Sequence, residues 1–153
     1  MQISIADLKR IGESPGEIQR FHDLFGEQSV TITAAWCVEH PEFDYRFLAC
    51  RLFPGAILAE YKLQEDVLKD EYWCQETSFW VDYKTKRDAL RVEFGIHGEP
   101  WRPGYTPVEL AVWIAYDKAR AGAWHEYEFQ QEKLWVECER ERNALFGTLA
   151  ERQ

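Results

Sequence analysis

Cys37 and His40 stand three residues apart, a spacing that puts two side chains on one face of a helix. With Cys50 and His22 they could supply the thiolates and imidazoles of a tetrahedral zinc site. The paired cysteine knuckles of structural zinc domains are missing, however, and a cysteine such as Cys37 is more commonly a small buried hydrophobe. Nucleophile and phosphate motifs are missing too: no Gly-x-Ser-x-Gly elbow, Walker loop, Gly-x-Gly-x-x-Gly or His-Glu-x-x-His. His97 and His125 read as solvated, and neighbouring carboxylates such as Asp70 and Glu71 as a wet helix face. The sequence predicts no enzyme, no cofactor and no metal centre.

What remains is chemistry of binding. The chain of 153 residues carries 18 Lys and Arg against 27 Asp and Glu, a net charge of −9. Such a balance disfavours direct binding of nucleic acid or an anionic membrane. The acids cluster. Glu60, Glu65, Asp66, Asp70, Glu71 and Glu76 face Lys62 and Lys69, while Glu126, Glu128, Glu132, Glu137, Glu139 and Glu141 face Lys133 and Arg140. A helix carrying these acids would be soluble, and it could also steer toward a basic partner surface. Aromatic residues make up 15% of the chain, with seven Trp, and indoles dominate interface energetics. Candidate partner-binding residues are therefore Glu60, Glu65, Asp66, Asp70 and Glu71, with Trp113, Trp124 and Trp135.

Two regions must position these residues. Residues 1–53 read as a small helical cap of four short helices. Ser4 can cap the first, which ends at Gly12. Ser14-Pro15-Gly16-Glu17 has the form of a capping box, opening a helix that stops at Gly26. Thr31 or Thr33 can start a third, ending before Pro41, and Asp44 a fourth, ending before Pro54. The expected core of this cap is Phe21, Phe25, Trp36, Phe47 and Leu48.

Residues 54–153 follow an eleven-residue rule. Written from Ile57 in blocks of eleven, the first column is Ile57, Leu68, Phe79, Leu90, Trp101, Val112, Ala123, Leu134 and Leu145. The fifth is Tyr61, Tyr72, Tyr83, Phe94, Tyr105, Tyr116, Tyr127, Cys138 and Leu149. Eleven residues make almost three helical turns, so these two columns stack on one face. The second column adds Leu58, Trp80, Trp113, Trp124, Trp135 and Phe146, and most of the rest is charged or amide. Gly95, Gly98, Pro100, Pro103 and Gly104 break the pattern, and Thr106-Pro107-Val108-Glu109 restarts it as a second capping box. The spacing predicts helices near 56–94 and 107–149, each about 60 Å long, joined by a turn at 95–105 and antiparallel with their aromatic stripes facing. The fold class is all-α, a small helical cap followed by a long antiparallel helical hairpin. The alternative is α+β: Phe79, Val81 and Tyr83, then Leu90, Val92, Phe94 and Ile96, alternate as a β-hairpin near 78–97 would.

The repeat, as LAEYKLQEDVL and WHEYEFQQEKL, resembles that of a group of bacterial and phage-associated proteins with tandem undecapeptides of the type ALAEYERVRAP. The start of the chain, IADLKRIGESPGEIQRFHDLFG, then VTITAAWCVEH and FDYRFLACRLF, is similar to their N-terminal cap. The resemblance covers nearly the whole chain, which departs from it by being short, rich in Trp and degenerate between 73 and 105. It implies a helical repeat fold and a home in phages or mobile elements, and transfers no catalytic residue.

These readings combine into an expected function: a non-enzymatic interaction protein, an anti-CRISPR-like inhibitor of a host defence complex. Its acidic helical surface would occupy a basic groove of a host protein or nucleoprotein. The rival expectations are a structural protein that self-associates, as a homodimer or larger assembly, through its Tyr and Trp seam, and a small zinc-binding protein. The N-terminal MQISIADLKR has no hydrophobic segment of a secretory kind, and four cysteines do not make a disulfide scaffold. The expected location is the cytoplasm, that of the host if phage-encoded, with no membrane partner.

Overall fold

The computed structural model describes residues 1–97 and 105–153. The described chain is mostly helix: β1 (Gln2–Ile3), α1 (Ile5–Ile11), α2 (Pro15–Phe25), β2 (Val30–Thr31), α3 (Ala34–Glu39), α4 (Tyr45–Leu52), α5 (Gly55–Glu93) and α6 (Pro107–Glu151). No described helix is long and apolar enough to cross a membrane.

Each short helix starts where a side chain can satisfy its free amides. Ser4 and Asp7 form a complete reciprocal box on α1, Thr33 accepts from the Trp36 amide on α3, and Asp44 from the Phe47 amide on α4. The box expected at Ser14 is half formed. Ser14 accepts from the Glu17 amide, but the Glu17 carboxylate turns to Arg20 at 2.7 Å and the Ser14 amide bonds Glu13 instead. On α6, Thr106 and Glu109 close the second box in both directions. The antiparallel pairing of Gln2 with Thr31 and Ile3 with Val30 has no counterpart in the sequence reading, since two residues are too few to show a period.

The chain forms two compact units, Met1–Asp70 with Glu137–Gln153, and Glu71–Val136. In the first, α1 to α4 pack around the first turns of α5 and the last turns of α6. Its core contains Phe21 and Leu48 as expected, while Phe25, Trp36 and Phe47 lie half-buried at its edge. The centre is Phe146 of α6, wholly buried against Phe53 at 4.8 Å, Tyr45 at 5.1 Å and Tyr61 at 6.4 Å between ring centroids. Gly147 lies so close to α3 that a Cβ on it would stand 2.4 Å from the Thr33 carbonyl oxygen and 2.5 Å from the Ala34 Cα. One turn on, the Glu151 carboxylate accepts from the Ala34 amide at 2.9 Å.

In the second unit α5 and α6 pack antiparallel. The β-hairpin alternative near 78–97 is overturned, because α5 continues to Glu93. Phe79, Tyr83 and Leu90 share the covered face, whereas Val81 and Val92 are 53% and 79% exposed on the other side, which strand alternation could not produce. Gly95, at φ 63°, ends α5: its amide bonds the Val92 carbonyl, the Ile96 amide bonds that of Arg91, and Ile96 is buried over the turn. That left-handed conformation suits glycine. Of the other expected breakers, Gly98, Pro100, Pro103 and Gly104 lie outside the described residues, as does Trp101.

Candidate interaction surface

All described residues of the first and fifth columns are buried or half-buried. In the second unit their rings interlock with the second column. Tyr72 meets Trp135 at 5.8 Å, Tyr83 meets Trp124 at 5.2 Å, and Trp80 meets Tyr127 at 5.6 Å. A step of eleven along α5 is matched by a step of eleven backwards along α6, so one aromatic pairing repeats. In the first unit Tyr61 and Phe146 stand in the same relation. Tilted and edge-on pairs of this kind add about 0.5–1.5 kcal/mol each beyond burial.

The candidate tryptophans are therefore seam residues. Trp113 rests on Tyr116 at 5.5 Å and Tyr105 at 6.3 Å; Trp124 remains 37% and Trp135 51% exposed at the seam's edge. Of the candidate acids, Glu60 is held by Arg152 at 2.6 Å, while Asp66, Asp70 and Glu71 are exposed. Glu65 is buried, 3% exposed, with Lys69 at 3.2 Å and Arg46 at 3.7 Å. Its Oε1 and the neighbouring Tyr61 hydroxyl have no hydrogen-bond partner among the described residues. Glu65 belongs to the ninth column, beside the covered face, and so cannot be presented to a partner. The candidate acids do not converge on one site.

The groups considered for zinc are also dispersed. Cys37 is fully buried and Cys50 exposed, and the His40 ring stacks on Trp36 at 4.7 Å while bonding Glu42. Among the described residues no three His, Cys, Asp or Glu side chains are grouped as metal ligands would be. A cleft of about 350 Å³ lies where α5 ends and α6 begins, walled by residues such as Phe94, Ile96, Tyr105, Val112 and Trp113. The carboxylate on its wall, that of Glu109, is committed to the α6 cap.

Burial raises the Cys37 thiol from 9.0 to about 12. The Tyr127 phenol rises from 10.0 to about 12, first by desolvation and then because its hydroxyl donates to Glu76 at 2.6 Å. Both groups are neutral when protonated, and the folded state holds those protons more tightly. Their contribution to stability is complete below their ordinary values and is lost as pH climbs to about 12. Alkaline unfolding in that window is expected, with tyrosinate absorbance and circular dichroism changing together. Tyr127→Phe should move the midpoint upward; a tyrosinate signal that rises fully before the helix signal changes would contradict this.

The sequence reading missed the outward sides of the long helices. Where a wet charged face was expected, the third and seventh columns place Val81 and Val92 on α5, and Ile114, Phe129 and Val136 on α6, all more than half exposed. The signal was present in those columns, since Val81, Val92, Ile114 and Val136 recur in one register. Comparison with family models, curated proteins and solved structures gave no match.

Proposed function

We propose that this protein is a non-enzymatic interaction protein that binds a partner with a basic surface. The observation that carries the reading is Phe129, 69% exposed on α6, with Glu132 three residues on and Glu128 beside it, while Glu126 is held by Lys86 and Lys133 lies a turn further on. An aromatic ring that no neighbour covers, set among carboxylates, suits an apolar socket rimmed by Lys and Arg. Ile114 and Leu110, at 62% and 47% exposed, are further bare apolar residues nearer the start of α6. The finer form of the reading is an inhibitor of phage or mobile-element origin that occupies a basic groove of a host defence complex. It draws on the resemblance of the repeat and on the net charge of −9.

The test is capture of partners from the native host on the immobilised chain, followed by affinity measurement at rising salt. Binding should weaken steadily with ionic strength. Phe129→Ala should weaken it more than tenfold, as interface anchors do. Glu128→Lys with Glu132→Lys should abolish it at low salt. Binding indifferent to salt and to both variants would sink the proposal.

A further inference from the structure

We infer that the first unit binds one water molecule between the Tyr61 hydroxyl, the Glu65 carboxylate and the Arg142 guanidinium, at a place that a tyrosine hydroxyl fills one repeat away. Four buried side-chain atoms have no hydrogen-bond partner among the described residues, and three of them are Tyr61 Oη, Glu65 Oε1 and Arg142 Nε. Tyr61 is 1% and Glu65 3% exposed, so neither reaches bulk solvent. Buried polar groups in folded proteins are paired with protein or with ordered water, and three orphans in one neighbourhood call for a shared partner.

The repeat explains why the three meet. Tyr72 meets Trp135 in the second unit, and Tyr61 meets Phe146 in the first, eleven residues back along α5 and eleven on along α6. In the second unit Glu76 accepts from the Tyr127 hydroxyl at 2.6 Å and from Gln131 at 3.3 Å. The same step carries Glu76 to Glu65, Tyr127 to Cys138 and Gln131 to Arg142. Cys138 has neither ring nor hydroxyl, so Glu65 loses the donor that Glu76 enjoys. The missing ring is larger than a water molecule, whose share of the liquid is about 30 Å³. The charges agree with this placement. The Tyr61 phenol is pushed up by burial and next by Glu65, against Arg142 and Arg46. The Cys138 thiol is pushed up by burial first and then by Glu139, with Arg142 opposing and Glu65 adding.

The chemistry of the orphaned atoms selects the ligand. Glu65 Oε2 is engaged by Lys69 at 3.2 Å and Arg46 at 3.7 Å, and Arg142 Nη2 by Glu139. What remains is one atom that only accepts, Glu65 Oε1, one that only donates, Arg142 Nε, and a hydroxyl that does either. A cation there would face the guanidinium, and an anion the carboxylate. A neutral molecule that accepts from Arg142 and Tyr61 and donates to Glu65 suits all three, and water is the smallest that does. Three hydrogen bonds are the usual number for a buried water. The site is separate from the α6 face assigned to a basic partner.

A high-resolution crystal structure of the full chain should show one water within hydrogen-bond distance of Tyr61 Oη, Glu65 Oε1 and Arg142 Nε. Magnetic relaxation dispersion of the solvent counts long-lived internal waters in solution. Cys138→Tyr should lower that count by one, because its hydroxyl takes the water's place on Glu65, whereas Cys138→Ala should keep it. Tyr61→Phe removes one of the three bonds and should shorten the water's residence about tenfold, the worth of a single hydrogen bond. A metal ion or an anion at the site overturns the proposal. So does a structure in which Tyr61 or Arg142 bonds Glu65 with no water between them, or a water count that Cys138→Tyr leaves unchanged. Should Cys138→Tyr fail to fold, the wild-type crystal and Tyr61→Phe still decide.

Discussion

Gly147→Ala is expected to destabilise the first unit by about 3 kcal/mol, although alanine is the better helix former. Removing a mid-helix glycine ordinarily gains up to about 1 kcal/mol. Here the new methyl group would stand 2.4 Å from the Thr33 carbonyl oxygen and 2.5 Å from two backbone atoms of Ala34. Those atoms belong to the capped start of α3, where Thr33 accepts from the Trp36 amide and Glu151 from the Ala34 amide. Backbone so held cannot step aside as a flexible side chain would, and α6 must move away, opening contacts at Phe146 and Ala150. Gly122 supplies the internal control. It too lies within α6, but a Cβ there meets nothing within 4 Å, so Gly122→Ala should stabilise by up to about 1 kcal/mol. Thermal unfolding followed by circular dichroism should show a fall of about 6–12 °C for Gly147→Ala and a small rise for Gly122→Ala. Equal shifts at the two positions would contradict the close approach.

Phe146→Ala is expected to cost about 3–5 kcal/mol. The ring is wholly buried, stacked on Phe53 with 20° between planes and enclosed by Tyr45 and Tyr61. Its removal leaves a cavity among three rings, of which Tyr45 sits in the capped first turn of α4 and Phe53 at that helix's C-terminal end, so the site can collapse only in part. Phe146→Leu keeps most of the volume and should cost less than about 1.5 kcal/mol. Urea unfolding measures both, and a loss below about 1 kcal/mol for the alanine variant would show that the ring is not the keystone of this unit. The partly exposed seam rings Trp124 and Trp135 should each matter less, since less area leaves water there.

Local chemistry was legible in the chain. Ser4, Asp44 and Thr106 announced helix starts, and Thr31 or Thr33 a fourth that the structure gives to Thr33, because a short hydroxyl or carboxylate beside free amides acts within three residues of itself. The eleven-residue spacing of Tyr72, Tyr83 and Tyr127 announced the covered face, because helical geometry alone decides which side chains stack. That the indoles of Trp124 and Trp135 meet tyrosines of α5 was not legible: the sequence offered them as partner-binding residues, and only the packed helices place them in the seam.

Other features have no local cause. A carboxylate in the ninth column reads as wet wherever it occurs, and Glu65 is buried because the first unit encloses that turn of α5. Gly147 reads as a weak point in a helix until the start of α3 is placed against it. The half-formed box at Ser14 turned on Arg20 being a nearer partner for Glu17 than the Ser14 amide. Most consequentially for function, Val81, Val92, Ile114 and Phe129 could have been covered or bare. Periodicity determines which residues share a side of a helix, and it took the tertiary structure to decide which side received a neighbour, because burial is a property of two surfaces and a sequence pattern describes one.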